Sequence, residues 1–253
     1  MILQQDKKGM MASLRRSKLA MISLSFIVLV ILIAALAPLL ANDRPIIAER
    51  NEKIVFPVFS GDDQNDEEIS YSWALYPPVR FSPRSYDLDA ILSAPSAIHP
   101  FGTDGDGRDV LAMLIWGSRI SMSVGLIAMG IAAAIGIFMG LIAGYFGGWV
   151  DMVISRFVEV MMCFPTFFLI LAILAFVGPS IYNIMLVIGL TGWTPVARLT
   201  RGEVLRLRGL PFVSAAMVTG RGSMGIIFKH IMPNAISPAL VTIYFGIAAA
   251  ILA

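Results

Sequence analysis

The chain has 253 residues, of which 57% are hydrophobic and only 14% charged, against about 25% charged in a soluble domain of ordinary composition. With a mean hydropathy of +0.80 it falls in the membrane class before any motif is read. One cysteine, Cys163, excludes an intramolecular disulfide, and two histidines far apart, His99 and His230, argue against a zinc site. No metal, no cofactor and no nucleic-acid partner is expected.

The first apolar run, Leu19 to Ala41, holds 23 residues without a charge. As a helix it covers roughly 34 Å, enough for a hydrocarbon core of about 30 Å. Lys7, Lys8, Arg15, Arg16 and Lys18 precede it. A cleavable leader is the competing reading, because Ala35-Leu36-Ala37 resembles a cleavage site. The run is long for a leader's apolar region and Pro38 follows, so a retained anchor is expected.

Residues 42–117 are polar, with thirteen acidic side chains against six basic ones. Further apolar runs cover about Ile120 to Tyr145, Met152 to Val177, Ser180 to Ala197, and Ala235 to Ala253. Segment 198–234 carries Arg198, Arg201, Arg206, Arg208, Arg221 and Lys229 against Glu203 alone. Basic residues near spans mark the cytoplasmic side. Residues 1–18 and 198–234 are therefore expected inside and 42–117 outside, which an alternating path through the first four spans satisfies.

The second span repeats small residues at Ala132, Gly136, Gly140 and Gly144, a stripe on which another backbone can pack closely. The third holds Asp151, Arg156 and Glu159, then Pro165. Arg156 and Glu159 can pair across three residues, and Asp151 and Arg156 are read as interfacial. Glu159 lies about 12 Å of helix rise beyond Asp151, and Pro165 is expected to kink the helix. Glu159 and Pro165 are the candidate pathway residues. No span carries a catalytic constellation, so the chain is not expected to be an enzyme.

Gly220, Gly222 and Gly225 spell G-x-G-x-x-G. A dinucleotide site needs a strand before this motif and an acid about 20 residues on, and no acidic residue follows Glu203. A phosphate-binding loop is excluded because the dipeptide Gly-Lys does not occur. Read as punctuation, the glycines fit two short helices. Pro211 suits a first turn, with Val213, Ala216 and Met217 on one face and Gly220 as a left-handed stop. Ser223 is expected to cap a second helix with an apolar stripe of Met224, Ile227, Phe228 and Ile231, ended by Pro233-Asn234.

This segment resembles the coupling loop of bacterial ABC importer permeases, E-A-A-x-x-x-G, nine residues, then I-x-L-P. Ser214-Ala215-Ala216 aligns with E-A-A, Gly220 with the glycine, and His230-Ile231-Met232-Pro233 with the ending. His230-Ile231-Met232-Pro233-Asn234 is similar to the ending usual in the oligopeptide/dipeptide/nickel branch. His99-Pro100-Phe101-Gly102-Thr103-Asp104 with Gly107-Arg108-Asp109 resembles the branch's H-P-L-G-T-D-x-x-G-R-D stretch before the second span, and Gly144 to Asp151 also looks like this branch.

The resemblance implies an all-α polytopic bundle of the type I ABC importer permease kind. Residues 1–18 would be the cytoplasmic N-terminus, 19–41 the first span, 42–117 an external segment, and 118–253 the permease domain with its coupling loop at 198–234. Family members have a sixth helix, so a sequence truncated inside its fifth span at Ala253 is expected. The implied role is the permease subunit of a peptide importer in the bacterial inner membrane. Nickel or another small solute is the alternative substrate, and a channel or assembly protein the alternative class. The implied partners are a second homologous permease, two cytoplasmic ATPases and a solute-binding protein. The implied ATPase-facing residues are Ser214, Ala215, Ala216, Gly220, Met224, Ile227, Phe228, His230, Met232 and Pro233.

Overall fold

The computed structural model describes residues 17–50, 52–59 and 71–252; Lys7, Lys8, Arg15 and Arg16 lie outside them. The chain forms two compact units, Met1–Met122 and Ser123–Ala253.

In the first unit, helix α1 (Lys18–Leu40) starts at Ser17, whose hydroxyl accepts from the Ala20 N–H. Only Ala34 and Ala37 are buried along it, as befits an apolar helix whose remaining surface faces lipid. Strands β1 (Ile47–Arg50), β2 (Lys53–Val55) and β3 (Trp73–Leu75) form an antiparallel sheet of order β2-β1-β3, with Glu49 opposite Ile54 and Ala48 opposite Ala74. The Trp116 indole N–H donates to the Ala41 carbonyl at 2.7 Å, and Val79 N–H donates to Leu40. These bonds tie the end of α1 to the start of α2 (Val110–Phe146) over a small core of Ala41, Val79 and Ala112.

The second unit holds the rest of α2, then α3 (Gly148–Cys163), α4 (Thr166–Val177), α5 (Ile181–Thr191), α6 (Trp193–Arg208), α7 (Pro211–Val218), the single turn α8 (Ser223–Ile226), a π-helical turn (Ile227–Ile231), and α9 (Met232–Leu252). Among the described residues three helical runs are long and apolar enough to cross a membrane, Lys18–Leu40, Val110–Phe146 and Ser223–Leu252, and the bent pair Gly148–Cys163 with Thr166–Val177 makes a fourth if it counts as one span. The fold is an all-α membrane bundle, with the small sheet as its departure.

Two expected spans are built differently from single helices. At Pro165 the chain does more than kink: α3 and α4 meet at 82°. The pre-proline residue Phe164 is extended (φ −87°, ψ 124°), because the proline ring disfavours helical backbone before it. The run Ser180–Ala197 falls on α5, 11 residues, and the start of α6, with Gly192 between them.

The small-residue stripe of α2 meets α6 backbone to backbone. A Cβ on Gly136 would lie 2.7 Å from the Trp193 carbonyl oxygen, and one on Gly144 2.7 Å from Val204 Cβ. Trp193, buried and stacked on Phe157 at 5.7 Å, anchors a core with Ala128, Ala132, Val158 and Val196.

Candidate functional site

Pro211 occupies the first turn of α7, where its missing N–H costs no helical bond. Gly220 ends the helix at φ +74°. Its N–H donates to Met217 at 3.0 Å and that of Arg221 to Ala216 at 3.3 Å. This crossed pair satisfies carbonyls that would otherwise be orphaned at the helix end, and it needs a left-handed residue that glycine supplies without strain.

The second half departs from the expected regular helix in three ways. Ser223 is the first helical residue and makes no side-chain cap; Gly222 holds the cap position. The apolar stripe is split: Ile227 and Ile231 are buried, Met224 and Phe228 are exposed, and Ile226 is buried instead. A π turn follows at Ile227–Ile231, with Met232 N–H donating to Ile227. Pro233 does not end the helix, which runs from Ser223 to Leu252 without interruption. The wider turn accommodates the proline, which would otherwise clash with a carbonyl four residues back, and the Asn234 amide donates to the His230 carbonyl at 2.7 Å.

The hairpin is thereby keyed into the bundle. Val213, Ala216, Ile226, Ile227 and Ile231 share one buried cluster with Leu141 and Tyr145 of α2 and Val204 and Leu207 of α6. Of the residues aligned with the coupling motif, Ala216 and Ile227 face this core, and His230 and Met232 are half-buried. Ser214, Ala215, Gly220, Met224, Phe228 and Pro233 are exposed. The Arg221 guanidinium donates to His230 Nε2 at 2.7 Å, closing the hairpin's open side.

Above the hairpin, α6 carries an ordered set of charges. Arg206 brackets the Glu203 carboxylate and holds it below its ordinary range, chiefly through the side-chain hydrogen bond. Arg201 grips Asp151 of α3 in a two-pronged pair, NH2 to Oδ2 at 2.7 Å. Fifty residues separate these partners, so no local sequence signal joins them. A cleft of about 480 Å³ opens between α3 and α6 over Gly140 and Ala143. Glu159 lines it, paired with Arg156 at 2.6 Å; Pro165 lies at the helix break two residues beyond the lining residue Cys163.

In the first unit, the His99–Asp109 motif folds into a knot. His99 is buried, stacked on Phe81 at 4.4 Å, and its Nδ1 donates to Asp109 Oδ2 at 2.9 Å. The other Asp109 oxygen accepts from the Ala112 N–H at 2.7 Å and caps α2. Asp104 accepts from the backbone N–H groups of Arg108 and Asp106 and from Arg108 Nε. The Arg108 backbone bond is the main cause that lowers its carboxyl below the ordinary range. Among the described residues no cluster of His, Cys, Asp and Glu is placed to hold a metal ion.

Residues 136–253, which contain the hairpin and the cleft, match the family described as binding-protein-dependent transport system inner membrane component. Residues 8–78 match the N-terminal transmembrane domain of oligopeptide transport permease C. The oligopeptide transport system permease protein OppC of Bacillus subtilis is 30% identical over 247 residues, covering 96% of this chain and 68% of that protein. The chain belongs to the binding-protein-dependent inner-membrane permease family.

Other relatives of this permease include the inner membrane ABC transporter permease protein YejE of Escherichia coli, 31% identical across 82% of this chain and 67% of that protein. The dipeptide transport system permease protein DppC of Alkalihalophilus pseudofirmus is 42% identical across 64% of this chain and 53% of that protein. The permease chain thus spans between about half and two thirds of the length of these relatives. Its family and its apolar helices make it a multi-pass inner-membrane protein.

Proposed function

We propose that this chain is a transmembrane subunit of an ATP-driven importer of peptides, and that the hairpin of α7 and α8 receives force from an ATPase. The observation that carries the reading is the split of the hairpin into two faces. Val213, Ala216, Ile226 and Ile227 lock it to α2 and α6, while Ser214, Met224 and Phe228 are left uncovered. An exposed apolar face on a rigid helical knuckle is the form a groove-binding partner accepts. The uncovered face docks on one of two cytoplasmic ATPases, and the locked face passes the displacement into the bundle. A second homologous permease and an external solute-binding protein complete the assembly, with the N-terminus on the cytoplasmic side. The peptide class follows the dipeptide and oligopeptide permeases among the relatives.

Gly220→Pro tests the lever. Proline fixes φ near −65°, which Gly220 at +74° cannot match, and it removes the N–H bonded to Met217. In the assembled transporter reconstituted into vesicles, this variant is expected to insert and to retain ATP hydrolysis while losing peptide uptake. Wild-type uptake by the variant refutes the lever. Failure of the wild-type chain to co-purify with ATPase subunits refutes the whole reading.

A further inference from the structure

The cleft between α3 and α6 holds an unbalanced charge. Glu159 is matched by Arg156, and Asp151 by Arg201. Arg198, which also lines the cleft, pairs with no carboxylate among the described residues; its NH1 reaches only the Met162 sulfur, at 3.5 Å. The cleft therefore presents one uncompensated guanidinium against an apolar wall, a group whose planar fork matches a carboxylate.

A second observation points to the same place. The break between α3 and α4 at Phe164–Pro165 directly follows Cys163, which lines this cleft. Non-helical backbone at membrane depth persists only where protein buries it or where it lines a wet cavity, and discontinuous helices form solute sites in other transporters. The volume of about 480 Å³ is that of a small-molecule site.

Resting on the peptide-importer reading, we propose that Arg198 is a substrate-binding residue that receives the free terminal carboxylate of a peptide passing through this cleft. The site selects for peptides that end in a carboxylate and against those whose end is capped as an amide.

Cys163 is the chain's single cysteine and lines the cleft, so it serves as the probe. The assembled transporter is labelled with N-ethylmaleimide in the presence of excess trialanine or trialanine amide, without the solute-binding protein. Modification of Cys163 is read by mass spectrometry. Uptake of trialanine is measured in the same vesicles once the solute-binding protein is added. Trialanine is expected to slow labelling, the amide to need about tenfold more for equal protection. Arg198→Gln is expected to erase that difference, and Arg198→Lys to keep part of it. Equal protection by both peptides, no protection while uptake proceeds, or a Cys163 that never reacts overturns the assignment of Arg198. Should Arg198→Gln fail to assemble, the acid-to-amide difference in wild type and Arg198→Lys decides. No uptake of trialanine by the wild-type assembly instead sinks the peptide reading itself, and this assignment with it.

Discussion

Gly140 packs tightly against α6, and it yields a prediction with an internal control. A Cβ built there lies 2.6 Å from Thr200 Cβ, 2.7 Å from the Ala197 carbonyl oxygen and 2.9 Å from the Arg201 nitrogen. Backbone and β-carbons cannot swing aside as a long side chain can, so Gly140→Ala must push α2 and α6 apart by about 0.8 Å. A radial gap of that size forfeits about a quarter to a half of each contact's attraction along the seam. Overpacking of this kind costs about 1–3 kcal/mol, set against about 1 kcal/mol gained from alanine's helix propensity. Gly130 lies on the same helix with nothing within 4 Å of its Cβ position, so Gly130→Ala keeps only the gain. Thermal unfolding of the two purified variants, followed by fluorescence-detected size exclusion, is expected to place Gly140→Ala below wild type and Gly130→Ala at or above it. Equal midpoints for the two variants refute the close-packed seam and leave the stripe as ordinary membrane-helix composition.

Two further outcomes concern the first unit. Asp109→Ala removes both the cap of α2 and the acceptor of the buried His99 Nδ1, a loss of about 1–3 kcal/mol; faster proteolysis of residues 80–110 in intact membranes checks it, and an unchanged rate counts against the knot. Asp104 has its carboxyl lowered on folding, so its contribution is complete above the ordinary carboxylate range and is lost as pH falls through the lowered value. Hydrogen exchange at the Asp106 and Arg108 amides is expected to stay slow at neutral pH and to rise only in that acid window, and Asp104→Asn is expected to flatten the pH dependence.

Local chemistry made parts of this architecture legible. Proline at the start of a helix and glycine at its end act through their own backbone restrictions, so Pro211 and Gly220 mark α7 without tertiary information. The α2 stripe reads out because small residues at spacing four have few other uses in a membrane helix. The rest depended on non-local or non-ideal geometry. The stripe read along the sequence put Met224 and Phe228 inward and passed over Ile226, whose place in the buried cluster with α2 and α6 is a tertiary contact. The three strands are short and lie among charges, too brief for an alternating pattern to register. The Asp151–Arg201 pair and the cleft it borders exist only once α3 and α6 are side by side. Pro165 announced a bend, but not its angle of 82°.

Under the proposed function, these details decide where motion can go. The hairpin cluster reaches Leu141 and Tyr145 on α2 and Val204 and Leu207 on α6, and the α2 glycines lie directly against the backbone and β-carbons of α6. Close-packed contacts transmit displacement without slack, so the hairpin, α2 and α6, which α2 touches from Trp193 to Val204, move as one block. Compliance sits elsewhere, at the two breaks in the helices, Phe164–Pro165 and Gly192. Arg198 is carried on α6, within the stiff block, whereas Glu159 and Cys163 lie on α3 just before the first break. A push on the exposed face of Met224 and Phe228 therefore changes the cleft by moving its α6 wall relative to its α3 wall. The Asp151–Arg201 pair bridges α3 and α6, so any such motion must carry or break that ion pair.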